Sequence, residues 1–144
     1  MESRPYTLHD LVVTAETEAG FDSEYFASSF QGEMVSRLAG AGFDRRSPKP
    51  GTPDEEIVVS GWVTTVDPGS AALRDIFGFG AGAAVFEAAV QVERAGTILG
   101  EVKARGVRRF AWFGGGESSK LLDDAAELAG RRAAKGIVDL LSVS

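Results

Sequence analysis

The sequence predicts one α/β domain of the α+β type spanning 1–144, with element order β-α-β-β-β-α. Its sheet is mixed and four-stranded, with two helices on one face. Three observations lead there. Apolar residues alternate with period two in several segments of strand length. Apolar residues also recur at four-residue spacing after Asp22 and again in an alanine-rich stretch after Ser118, the period of a helix face. A chain of 144 residues is long enough to close one hydrophobic core.

Leu8 to Thr17 reads as the first strand, because Leu11, Val12, Val13 and Thr14 favour extended backbone and Gly20 closes the segment. A helix follows, capped by Asp22 or Ser23, whose short side-chain oxygens accept a free N–H of the first turn. Phe26, Phe30, Met34 and Leu38 form its core stripe, and Gly40 and Gly42 end it. Gly42-Phe43 leads back toward the sheet. Pro48, Pro50, Gly51 and Pro53 make a surface loop.

Glu56 to Val66 is the second strand. Val58, Trp62 and Val66 are read on one face, and Ile57, Val59 and Val63 on the other. Apolar residues on both faces suggest a central strand. If it pairs in parallel with the first, the intervening helix makes a right-handed crossover. In Ala84 to Glu93, Phe86, Ala88, Val90 and Val92 point inward while Glu87, Gln91 and Glu93 point outward. Ala95-Gly96 is a hairpin turn, and Ile98 to Phe113 is the return strand, stopped by Gly114-Gly115-Gly116. Ser118 or Ser119 caps a last helix reaching about Leu141, with Leu122, Ala126, Ala129, Ala133, Ile137 and Leu140 inward. Ala125, Ala129, Ala133 and Gly136 are small enough to let this helix sit close to the sheet.

Composition narrows the function. The net charge is −6, and such a surface repels phosphate backbones, which argues against nucleic acid as a partner. The pairs Arg45-Arg46, Arg108-Arg109 and Arg131-Arg132 are read as solvated surface. The chain has no cysteine and one histidine, which removes disulfides and thiol chemistry and leaves zinc poorly served. No apolar run approaches the length of a transmembrane helix. Met1-Glu2-Ser3-Arg4-Pro5 lacks the basic and apolar regions of a signal peptide. The expectation is the cytoplasm if Met1 is the natural start, and otherwise a mature exported segment.

No arrangement of residues makes a catalytic centre, so a non-enzymatic domain without catalytic residues, metal or cofactor is expected. His9 stands beside Asp10 at the start of the first strand, with no nucleophile in its pattern. Asp54-Glu55-Glu56, Glu16/Glu18 and Asp123-Asp124 lie in a loop, at a strand end and at a helix start. Asp123 and Asp124 are explained there by the helix dipole. Gly78-Phe79-Gly80-Ala81-Gly82-Ala83 has the spacing of a dinucleotide fingerprint, but it precedes a strand instead of opening a helix. Gly114-Gly115-Gly116 does precede a helix, and its N–H groups can hold an anion or can simply form a turn.

Pro68-Gly69-Ser70-Ala71-Ala72-Leu73-Arg74 followed by Gly78-Phe79-Gly80-Ala81-Gly82-Ala83-Ala84 resembles the signature of the bacterial DUF4410 family, P-G-S-x-A-L-R, then G-x-G-A-G, then a short hairpin. The hairpin from Val90 to Glu101 is similar to the family's acidic turn, with Gly96-Thr97 in place of Thr-Gly. Ala83 stands where the family often has lysine. The resemblance implies an exported envelope protein, often a lipoprotein, with no assigned enzymatic activity. On that ground the domain is expected in the periplasm or at the outer membrane, with any lipid anchor absent from this cysteine-free chain.

The expected function is binding of a protein partner or self-association. The alternative is an anion-binding or small-molecule-binding domain using the two glycine turns. Binding is assigned to Arg74, Ile76, Phe77, Gly78, Phe79, Gly80 and Gly82, and to Phe110, Trp112 and Phe113. Apolar residues in a loop-like segment either pack over the sheet or stay exposed as an interaction surface.

Overall fold

The computed structural model describes residues 4–14, 22–46, 56–67, 83–108 and 118–143. The elements are β1 (Arg4–Leu8), β2 (Val12–Val13), α1 (Ser23–Gly40), β3 (Phe43–Arg46), β4 (Ile57–Asp67), β5 (Ala84–Arg94), β6 (Thr97–Arg108) and α2 (Ser118–Val143). The strands form one mixed sheet in the order β3-β1-β4-β5-β6, with β2 also on β4. β1 pairs in parallel with β3 and β4, and the β4-β5-β6 meander is antiparallel. This is the α+β domain expected, with six strands in place of four.

Both additional strands come from the first third of the chain. The first strand is broken. Tyr6–Leu8 pair with Ile57–Val59, whereas Val12 and Val13 pair with Trp62 and Val63. Between these pairs His9, Asp10 and Leu11 stand against only Ser60 and Gly61, so the strand kinks and Leu11 swings over Gly61. A Cβ at Gly61 would lie 2.8 Å from Leu11 Cδ2, so this close approach needs glycine. The main pairing therefore begins at Arg4 and not at Leu8. Pro5, which lacks an N–H, precedes the first residue paired to β4. The other additional strand, β3, reads Phe-Asp-Arg-Arg and carries no apolar alternation; pairing to β1 makes it extended.

α1 begins where Asp22 caps it, its carboxylate accepting the Glu24 N–H at 3.0 Å. Phe26, Phe30, Met34 and Leu38 are buried as the four-residue spacing predicts. The helix ends on Gly42, whose φ of +92° is the left-handed conformation that favours glycine. The hairpin turn at Ala95 and Gly96 also uses positive φ, as type I′ geometry requires.

The core lies between the two helices and the sheet face formed by Val59, Val63, Phe86, Ala88, Val90, Val92 and Ala104. Phe30 of α1 meets Phe86 of β5 with ring centroids 5.4 Å apart. Val66 corrects the expected pattern: a bulge between Val63 and Thr65 shifts the strand by one residue, so Val66 joins Val59 and Val63 in the core. Val58 and Trp62 remain half-buried on the opposite face. In α2, Leu141 is buried in place of Leu140, which lies along β6 at Gly100.

α2 reaches the sheet through absent side chains. A Cβ at Gly106 would stand 1.8 Å from the Ala125 carbonyl oxygen, and one at Gly136 would stand 2.5 Å from Val102 Cγ1. The two helices meet the same way, since a Cβ at Gly130 would lie 2.5 Å from the Phe30 carbonyl oxygen. Small residues thus set the distance between layers, as Ala125, Ala129, Ala133 and Gly136 predict.

Candidate functional site

The residues assigned to binding from the sequence, Arg74, Ile76, Phe77, Gly78, Phe79, Gly80, Gly82, Phe110, Trp112 and Phe113, all lie outside the described residues. Their anchor points are described. Asp67 at the end of β4 pairs with Val85, and Ala84 at the start of β5 pairs with Arg108 at the end of β6. The segments 68–82 and 109–117 are therefore both tied to one end of the sheet. Helix starts converge there as well. The Ser29 hydroxyl donates to the Asp123 carboxylate, joining the second turns of α1 and α2. Ala125 of α2 rests on Gly106 beside that end of β6.

The end has an apolar floor. Phe30, Val66, Ala84, Phe86 and Leu122 are buried beneath it, while Val85 and Val107 are half-buried on the opposite face. The run Gly78 to Ala83 leads into strand β5 and not into a helix. A phosphate held by a helix N-terminus, the dinucleotide arrangement, is therefore not built at that run.

Of the acidic residues weighed from the sequence, Asp123 and Glu56 have structural partners, and Glu16, Glu18, Asp54 and Glu55 lie outside the described residues. Asp123 takes the Ser29 hydroxyl. Glu56 accepts a hydrogen bond from the buried Thr7 hydroxyl. Glu33 Oε1 lies 3.0 Å from Arg37 Nε and 3.4 Å from Arg131 Nε, one carboxylate between two guanidiniums. The Glu127 carboxyl titrates above its ordinary value, raised first by burial and then by Asp123, Glu33 and Asp124, against the lowering effect of Arg131. Among the described residues no group of His, Asp and Glu could hold a metal ion. The lone His9 is exposed and uses its backbone N–H on the Val59 carbonyl.

The pair Arg131-Arg132, read as solvated surface, has an exposed Arg132 and a half-buried Arg131, and both side chains also hold partners. Arg131 joins α2 to α1 through Glu33, and Arg132 Nη1 donates to the Arg105 carbonyl at 2.6 Å. Sequence reasoning also missed the β6 flank. Its alternating Glu101, Lys103 and Arg105 are exposed on the face away from the helices. The period-two placement of charge was the available signal.

Solved structures with the same fold agree with this architecture. A crystal structure of an uncharacterised protein matches over 95% of this chain and 93% of its own, at 14% identity and TM-score 0.57. A DUF330 protein from Xanthomonas campestris covers 99% of this chain and 87% of its own, at 8% identity and TM-score 0.61. A PelC dodecamer from Paraburkholderia phytofirmans covers 92% and 87%, at 16% identity and TM-score 0.53. No curated protein matches the chain in sequence. The family model for a domain of unknown function, DUF4410, matches residues 4–111, and the chain belongs to that family.

Proposed function

We propose that this domain is a non-enzymatic module of the cell envelope that docks a protein, either a distinct partner or further copies of itself, through the sheet end at Asp67, Ala84 and Arg108. The observation that carries this reading is that the segments 68–82 and 109–117 are both anchored at that end. Between them they hold Ile76, Phe77, Phe79, Phe110, Trp112 and Phe113. Apolar residues concentrated in sequence beside one anchored end suit a protein interface better than a polar ligand.

Two further points support it. The PelC chain, of the same fold, is a dodecamer, so this architecture is compatible with assembly. Resemblance to DUF4410 implies export, and no described helix is long and apolar enough to cross a membrane.

The double substitution Phe77→Ser with Trp112→Ser tests the reading. Sedimentation should show loss of assembly, or of a co-purifying partner, with the unfolding midpoint retained. A fall of several kcal/mol in stability with association unchanged would mean that these aromatics are core. Saturable heat on titration with inorganic phosphate, abolished by substitution at Gly114–Gly116, would favour an anion site instead.

A further inference from the structure

Among the described residues β6 pairs with β5 alone, so its other side is a sheet edge. Two features bracket the open part of that edge. At one end Gly100 pairs with Val92 and Ile98 with Glu93, leaving Leu99 as a bulge. At the other, Arg132 Nη1 occupies the Arg105 carbonyl. The second feature also orients the strand. The Arg105 carbonyl faces away from β5, and outward-facing backbone groups recur at every second residue of an antiparallel strand. Lys103 and Glu101 therefore present their N–H and C=O groups outward as well. Between the bulge and the capped carbonyl lies Gly100–Ala104, centred on Val102.

We propose that a second copy of this chain pairs on this edge, β6 against β6 antiparallel, about a two-fold axis at Val102. The inference rests on reading the domain as a protein-docking module, and it names both the partner and a second surface. In this register Glu101 faces the partner's Lys103, and Lys103 faces the partner's Glu101. Both side chains are exposed on the sheet face away from the helices, so two opposite-charge cross-strand pairs form and no like charges meet. The register centred on Lys103 would set that lysine against itself and would need the Arg105 carbonyl, which is already bonded.

The helix layer repeats the match. α2 crosses β6 at Gly136, against Val102. Arg132 and Asp139, both exposed, are seven residues apart on one flank of α2, and the Arg105 bond places that flank over the edge. The same two-fold axis brings Asp139 toward the partner's Arg132. Paired backbone edges with complementary side chains are an established mode of strand addition.

Light scattering and sedimentation over a concentration series should show a dimer. Glu101→Lys and Lys103→Glu should each weaken it by about ten-fold or more, since each creates two like-charge pairs. The double variant E101K/K103E restores both pairs and should return the dimer. Because the chain has no cysteine, Val102→Cys offers an independent readout. Directly facing residues of this kind lie about 4.5 Å apart at Cα, within disulfide reach, so oxidation should give a cross-linked dimer.

A monomer at all concentrations would overturn the inference, as would single charge swaps without effect or a double swap without rescue. If association survives the charge swaps and is lost only in the Phe77→Ser, Trp112→Ser variant, the edge is wrong and the docking end stands. The reverse pattern keeps the edge and removes the docking end.

Discussion

Replacing Gly106 by alanine tests how α2 is seated on the sheet. The added Cβ would stand 1.8 Å from the Ala125 carbonyl oxygen, 2.8 Å from its carbon and 3.0 Å from the Ala129 nitrogen. A carbon and a carbonyl oxygen approach to about 3.3 Å at their closest comfortable contact. The helix must therefore withdraw by about 1.5 Å at this turn, the difference between those two distances. All three obstructing atoms are backbone, so no rotamer change relieves the overlap. A gap of even about 1 Å forfeits up to half of each dispersion contact across the opened layer, here between α2 and β5–β6. Overpacking commonly costs about 1–3 kcal/mol, and a backbone obstruction places Gly106→Ala at about 3 kcal/mol or above. For a domain of this size that is a fall of about 10 °C in Tm. Urea and thermal unfolding measure it, with Gly32→Ala as the control. Gly32 lies inside α1 with nothing within 4 Å of its Cβ position, so that substitution should stabilise by about 0.5–1 kcal/mol. A Gly106→Ala protein within about 1 kcal/mol of the parent would refute the seating of α2 on β6.

Phe30 is fully buried and stacked near Phe86, so Phe30→Ala should cost about 3–5 kcal/mol in urea unfolding, and a loss below about 1 kcal/mol would misplace the helix stripe. The Tyr6 hydroxyl is buried without a hydrogen-bond partner among the described residues, and burial raises its pKa above 10.0, with Arg45 lowering it and Asp44 raising it. The folded state therefore holds the phenol proton longer than the unfolded chain does. Stability from this group is complete below pH 10.0 and falls as the pH rises through the folded value. Tyr6→Phe should leave neutral-pH stability equal or higher and reduce the alkaline fall; an unchanged alkaline profile would show that Tyr6 is not its source.

Local rules were enough to locate most of the elements. Helix α1 was legible to within a residue because its cap, its four-residue stripe and its terminal glycines are all local signals. The β5–β6 hairpin was legible for the same reason, with Ala95-Gly96 between two alternating runs. Alanines and glycines in the last helix announced close packing before any partner was known. The family signature from Pro68 to Ala84 was also legible as residues, because it consists of specific types at fixed spacing.

What local rules could not supply depends on neighbours distant in the chain. β3 is extended because β1 offers it a parallel partner, and nothing in Phe-Asp-Arg-Arg requires a strand. The kink between β1 and β2 follows from the space that Gly61 leaves for Leu11. Val66 changes face because of one bulge at Thr64, since side-chain direction in a strand has period two and a single inserted residue reverses it. Arg131 and Arg132 read as surface charge until the fold placed Glu33 and the Arg105 carbonyl opposite them. Composition, periodicity and capping by themselves determined the domain class, both helices, the hairpin and the small-residue packing face. Strand order, register, the edge that β6 leaves among the described residues and the anchoring of two distant segments at one end of the sheet were decided by the tertiary structure, because each depends on which residues far apart in the chain come to lie side by side.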